Sequence, residues 1–159
     1  GDVYKRQADI VVSCEKEKDP KNGSIYLKPT QFVLGIGCRR DTAFENIDRA
    51  IRQSLLKLQI DISDIDMIAS IDVKKDEPGI KEFCERNRID FVTYTADELM
   101  AVQGEFRASQ FVSEHVGVDN VCERAAVLAC SRECNKAGKL VYKKHKYDRV
   151  TVAAARYPD

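Results

Sequence analysis

The chain has no excess of charge of either sign, with 26 lysines and arginines against 26 aspartates and glutamates in 159 residues. Zero net charge supplies no global field to attract nucleic acid or an anionic membrane, so neither is expected as a partner, and anion recognition has to come from local clusters. There is no C-x-x-C pair either: six cysteines are scattered at 14, 38, 84, 122, 130 and 134. In a chain long enough to form a core without staples they read as reduced thiols. Cys130 and Cys134, one helical turn apart near His145, match no zinc spacing, so no metal site is expected. No segment reaches the length of a membrane span and no charged-apolar-small leader marks export, which makes a cytoplasmic protein the simplest expectation. The common nucleotide signatures are missing too. G-x-G-x-x-G needs glycine where Arg40 stands, and a Walker loop needs a Gly-Lys-Ser/Thr ending.

What is present begins with Gly35-Ile36-Gly37-Cys38-Arg39-Arg40-Asp41-Thr42, fed by the apolar run Phe32-Val33-Leu34 and followed by an amphipathic pattern. A glycine turn from strand to helix aims unpaired backbone N–H groups and the positive end of a helix dipole at one point, and two arginines stand beside it. The pattern therefore predicts either an anion site or a tight turn whose glycines let strand and helix pack closely.

Gly1 to Gln7 fits no periodic pattern, and the chain opens with glycine and not methionine. Residues 1–24 are expected to be a non-native or linker segment with the remnant of a preceding domain: Ala8 to Ser13 as its last strand, Glu15 to Gly23 as linker or turn. The compact unit is expected over 25–159. Within it, Thr42 with Glu45 predicts a capping box for a helix burying Ile47, Ala50, Ile51, Leu55 and Leu58. Met67 to Ile71 reads as a strand stopping at Asp72, with Glu77-Pro78 starting the next helix. Phe91 to Tyr94 is a third strand, and Thr95 with Glu98 a second capping box. Gln103 to His115 reads as loop with a short helical turn. Asn120, with Glu123 three residues on, caps a last helix of small residues. Leu140-Val141-Tyr142 and Val150 to Ala155 close the chain as a hairpin around the basic loop Lys143-Lys144-His145-Lys146. Repeated βα units ending in a hairpin predict a three-layer α/β/α sandwich with a mixed, mostly parallel sheet of about five strands.

Four stretches in order carry a resemblance: Gly-Ile-Gly-Cys-Arg-Arg at 35–40, Ala-Ser-Ile-Asp-Val-Lys-Lys-Asp-Glu at 69–77, Val-Gly-Val-Asp-Asn-Val-Cys-Glu-Arg-Ala-Ala at 116–126, and Val-Thr-Val-Ala at 150–153. Over nearly all of residues 32–156 the chain resembles the C-terminal domain of CbiG, the cobalt-precorrin-5A hydrolases of anaerobic cobalamin biosynthesis, and is similar to the stand-alone CobE proteins of the aerobic route. The resemblance implies hydrolytic opening of the δ-lactone of a cobalt tetrapyrrole with release of acetaldehyde. It also implies a polyanionic substrate that brings its own cobalt, with no resident cofactor, and a partner N-terminal domain that the catalytic proteins of the family carry. The family has glycine after the paired basic residues where this chain has Asp41, which either brings negative charge to the anion site or caps the helix beside Thr42.

Carried onto this sequence, Gly35 and Gly37 allow close backbone approach, and Arg39 and Arg40 pair with substrate carboxylates. Cys38 sits where arginines and a helix N-terminus favour a thiolate, or packs as a small residue under the turn. Asp72 and Lys74 follow a strand end, where open α/β sheets gather ligands. A carboxylate there orients or deprotonates the attacking water, or else both residues are solvated and capping. Glu77 follows the same strand end and is offered for the same task, or else complements the dipole of its own helix. Glu123 is a second catalytic candidate with a competing capping role. Lys143, Lys144 and Lys146 reach substrate acid groups or stay solvated, Lys143 matching the family pattern best. His115 and His145 have no visible partner and no assigned role. Two other readings stay open: a non-catalytic tetrapyrrole-binding or carrier module, and a generic phosphate or nucleotide binder.

Overall fold

A computed structural model describes residues 32–102 and 120–158. Its strands are β1 (Phe32–Cys38), β2 (Ile65–Ile71), β3 (Asp90–Tyr94), β4 (Lys139–Tyr147) and β5 (Val150–Arg156), joined in one sheet of order β3-β2-β1-β5-β4. β1 and β3 flank β2 in parallel, while β5 is antiparallel to both β1 and β4, so β5 alone runs against the rest. The helices are α1 (Phe44–Leu58), α2 (Pro78–Asn87), α3 (Ala96–Met100) and α4 (Val121–Cys134). α1 and α2 bury Ile47, Ile51, Leu55, Ile80 and Phe83 against Leu34, Ile36, Ile68 and Val152 of the sheet. On the other face, Leu99 of α3 and Val121, Ala125, Ala126 and Ala129 of α4 pack on Val33, Met67, Ala69 and Ala155. These two cores, one on each face of the sheet, make the three layers expected from the sequence. The first residues, the loop expected at Gln103 to His115 and the stretch 116–119 lie outside the described residues.

Alternation along β1 explains both cores and the glycines. Leu34 and Ile36 face α1 and α2, so Gly35 and Gly37 face α4. A Cβ on Gly35 would lie 1.8 Å from the Cys122 carbonyl oxygen, which means α4 rests on bare β1 backbone. A Cβ on Gly37 would meet the Thr151 hydroxyl at 2.7 Å. Both glycines are thus inside a strand and not in the expected turn. The chain reverses one step later, at Arg40 and Asp41, where Asp41 takes a left-handed φ of 60°.

Helix ends follow the sequence at three of four places. Thr95 and Glu98 form a reciprocal capping box, Asn120 accepts the Glu123 N–H, and Pro78 occupies the first turn of α2. The box predicted from Thr42 and Glu45 does not form. α1 begins one residue later, behind Ala43, because the Thr42 hydroxyl instead donates to the Arg39 carbonyl at 2.6 Å and closes the turn. The hairpin is also corrected: Lys143 to Lys146 lie within β4, and the reversal is at Asp148-Arg149, with Arg149 at φ 66°. Two register shifts in β4, after Leu140 and after Tyr142, lengthen this lysine-rich edge strand. Cys38, Cys84, Cys122 and Cys130 are free thiols as expected. Cys134 departs from that expectation and is disulfide-bonded, since core size governs whether staples are needed and not which sulfurs come within bonding reach.

The approach of α4 to Gly35 is backbone on backbone, whereas at Gly37 a threonine side chain can rotate away. Gly35→Ala is therefore expected to cost about 3 kcal/mol of unfolding free energy, and Gly37→Ala clearly less. Urea denaturation of both variants checks this, and equal losses would contradict the packing account.

Candidate functional site

The carboxyl ends of β1 and β2 lie side by side, and the segments leaving them form one cluster. After β1 the turn 39–42 is held from the hairpin side: the Arg39 N–H donates to the Arg149 carbonyl at 3.0 Å, and the Arg149 guanidinium donates to the Arg40 carbonyl at 2.8 Å. Asn46 of α1 donates to the carbonyl and carboxylate of Asp148 at 3.3 and 3.1 Å. From the other side, the Asp41 N–H donates to Glu77 Oε1 at 3.1 Å, and the Lys74 ammonium sits 3.6 Å from Glu77 Oε2. Lys74 belongs to the 3-10 turn Asp72–Lys74 that follows β2. The cluster thus joins three stretches that are distant in sequence.

A second cluster surrounds the start of α4. Glu123 is 1 % exposed, and both its oxygens are engaged: Oε1 accepts from Asn120 Nδ2 at 2.8 Å and Oε2 from the Lys144 backbone N–H at 2.6 Å. The Lys144 amide is available because the β4 register shifts between Tyr142 and His145. Glu123 therefore ties the first turn of α4 to the edge strand, a task beyond the capping role behind Asn120 that the sequence offered as its alternative.

The first cluster gathers Cys38, Arg39, Arg40 and Lys74, with Asp72 at the head of the same 3-10 turn as Lys74. Arg39 and Arg40 are exposed. Asp72 is half-exposed and makes no side-chain hydrogen bond or ion pair with a described residue. Gly35 and Gly37 face α4 instead of any ligand space in the turn. Lys143 is exposed on β4, two strands from β1. His145, expected to lack a partner, stacks on Tyr142 at 4.0 Å between ring centroids, and its Nδ1 lies 2.6 Å from the Lys143 carbonyl. Among the described residues no group of three or more His, Cys, Asp or Glu is placed to hold a metal, and no helix is long and apolar enough to cross a membrane. A shallow hollow of about 560 Å³ lies on the outer side of α2, but its lining residues Lys81 and Asp76, and Arg86 and Glu82, pair with each other, away from the sheet edge. Arg149 escaped sequence reasoning because its role depends on the register of the hairpin. The reach of Glu77 across to Asp41 depends on where α2 docks. Neither leaves a local signal.

The family described as cobalamin synthesis G C-terminus matches residues 32–155. The chain is 32% identical over 137 residues to a probable cobalt-precorrin-5A hydrolase of Methanocaldococcus jannaschii, covering 83% of this chain and 42% of that protein. It is 31% identical over 144 residues to a cobalt-precorrin-5A hydrolase of Priestia megaterium, covering 91% and 37%. The chain thus spans about two fifths of the length of these curated relatives. Among solved structures it is similar to CobE, a protein from the cobalamin (vitamin B12) biosynthetic pathway, with a TM-score of 0.74 and 25% identity over 79% of this chain and 92% of that one. It is also similar to the cobalamin biosynthesis protein chiG of Agrobacterium tumefaciens, with a TM-score of 0.62 and 29% identity over 80% and 99%.

Of the two readings left open for Cys38, thiolate or small packing residue, burial favours the second. Burial first of all pushes its thiol up to about 11; Lys74 opposes this and Glu77 adds to it. Burial likewise raises Cys84 to about 12, with Asp90 and Glu85 contributing. A thiol raised in the folded state stabilises the fold fully below its ordinary value of 9.0, and that contribution is lost as pH climbs through the folded value. The urea midpoint is therefore expected to fall between pH 9 and 12, and to fall less steeply in Cys84→Ser. Identical slopes in the two proteins would exclude Cys84 as a source of the alkaline loss.

Proposed function

The chain belongs to the cobalamin synthesis G C-terminal family, and from that premise we propose that it acts in cobalamin biosynthesis as the C-terminal domain of a cobalt-precorrin-5A hydrolase. Its substrate on this reading is a cobalt-bearing tetrapyrrole with a rim of carboxylates, bound at the carboxyl edge of β1 and β2 in a cytoplasmic protein. The family match over 32–155 carries the reading. The geometry supports it by bringing exposed Arg40 and half-exposed Asp72 to one edge of the sheet, the region where open α/β folds take their ligands.

The proposed reaction adds water to the lactone carbonyl and breaks its acyl C–O bond. The carbonyl becomes a carboxylate and the ring oxygen a hydroxyl on the methyl-bearing carbon. Loss of that hydroxyl proton forms the C=O of acetaldehyde as the bond from this carbon to the macrocycle breaks, the bonding pair and a proton staying with the macrocycle. Asp72 is the proposed group that orients or deprotonates the water. Arg40, with Arg39, anchors peripheral carboxylates and offsets charge developing on the carbonyl oxygen. Glu123, whose two oxygens serve Asn120 and Lys144, keeps α4 in place. Lys143, exposed on β4, is the proposed contact for acid groups on the far side of a ligand as wide as a tetrapyrrole. Gly35 and Gly37 contribute indirectly, by setting where α4 lies.

One observation favours a second reading, a tetrapyrrole-binding module without catalysis of its own: this chain covers 92% of the CobE chain but only 42% of the first hydrolase. Acetaldehyde release from a cobalt-precorrin-5A preparation decides between them. The enzyme reading expects release with this chain alone or after the N-terminal part of a hydrolase is added; the binding reading expects tight binding and no release in either case. On both readings Arg40→Ala is expected to weaken binding about tenfold, the size of one lost charge-assisted contact, with an unchanged melting temperature. Unchanged affinity in that variant would remove the site from this edge.

A further inference from the structure

We propose that Glu77 sets the anion specificity of this edge: from inside the fold its carboxylate occupies the place formed by the Asp41 N–H and the Lys74 ammonium, leaving Arg40 to receive the carboxylates of a ligand. This inference rests on the proposed tetrapyrrole site and assigns a task within it.

The ordinary explanation for a glutamate ahead of Pro78 is helix capping. Glu77 stands at the N-cap position of α2, yet its side chain makes no capping hydrogen bond. Its carboxylate reaches instead to an amide 36 residues earlier, in the turn after β1. The approach is enforced by backbone, since a Cβ on Gly79 in the first turn of α2 would lie 2.5 Å from the Thr42 carbonyl oxygen. The pair is also secluded: the Lys74 and Glu77 side chains are 17% and 8% exposed. A lysine held this way is cancelled as a positive charge, and an amide already donating to a carboxylate has nothing left for a ligand. Arg40 is different, being exposed and making no ion pair with a described residue. The edge therefore contains a complete carboxylate site with its own carboxylate in it.

Glu77→Gln separates the parts. The amide oxygen still accepts from Asp41, while its NH2 faces the Lys74 ammonium and turns that charge outward. With uroporphyrin, an octacarboxylate tetrapyrrole, as the probe, Glu77→Gln is expected to bind about tenfold tighter than wild type, and Glu77→Gln with Lys74→Gln to return to the wild-type value. Equal or weaker binding in a Glu77→Gln protein that melts like wild type overturns the proposal. Cys38 gives a readout without any ligand, because Lys74 and Glu77 act on its thiol in opposite directions. Its alkylation midpoint, which burial holds above the ordinary thiol value, should fall in Glu77→Gln and rise again in the double variant. Lys74→Gln alone leaves the Glu77 charge uncancelled and should move both readouts the opposite way. If wild type fails to bind uroporphyrin, the tetrapyrrole reading fails, and the Cys38 midpoints still decide for or against Glu77.

Discussion

The contact on which the arrangement depends is the seat of α4 on the bare backbone of β1 at Gly35. With no side chain there, the carbonyl of Cys122 reaches a place where even a methyl group has no room. That closeness puts the first turn of α4 level with the carboxyl half of β1 and lets buried Glu123 span from Asn120 to the amide of Lys144. A carboxylate nearly closed to water is tolerable only with its hydrogen bonds made, and the irregular register of β4 supplies one of the donors. Glycine in a strand, a kinked edge and a buried acid are three consequences of one close approach.

On the opposite face, the turn after β1 owes its shape to partners from elsewhere in the chain. Asp41 adopts a left-handed conformation that costs an L-residue about 1 kcal/mol relative to glycine. The hydrogen bond from its N–H to Glu77 offsets that cost, and Arg149 holds the turn from the hairpin side. Glycine adopts such a φ without steric cost, a requirement that the sequence alone could read only as a charge or a cap. The turn is a junction at which the ends of β1, α2 and the hairpin meet, so exposed Arg40 is presented from a backbone fixed on both sides.

Much of the fold was legible because its signals are local. The apolar sets of α1 and β2, Pro78 in the first turn of α2, and the caps at Thr95 and Asn120 depend on neighbours within a few residues, and each formed. The misreadings are of another character. Gly35 and Gly37 look like a turn until the helix crossing over them is known. Thr42 looks like a cap until its hydroxyl is seen to serve Arg39. Lys143 to Lys146 look like a loop because charge marks turns, whereas an edge strand carries lysines for a different reason. The glycines and the lysines turned on contacts from far along the chain, whereas Thr42 turned on a competing acceptor three residues back.

The candidate site shows the same limit at the level of chemistry. Sequence reasoning offered donors on this edge, and an amide after β1 and a lysine after β2 do meet there. It could not say which acceptor they serve, because the nearest carboxylate in space, Glu77, belongs to a helix whose own dipole seemed to account for it. A cluster of cations and amides in a folded chain is an anion site only after the chain's own acids have taken their share. Here that share is the Asp41 amide and the Lys74 ammonium, so on the proposed reading recognition of an outside carboxylate falls to the guanidinium of Arg40. Specificity at such an edge is then set by the acid that stays at home as much as by the bases that reach outward.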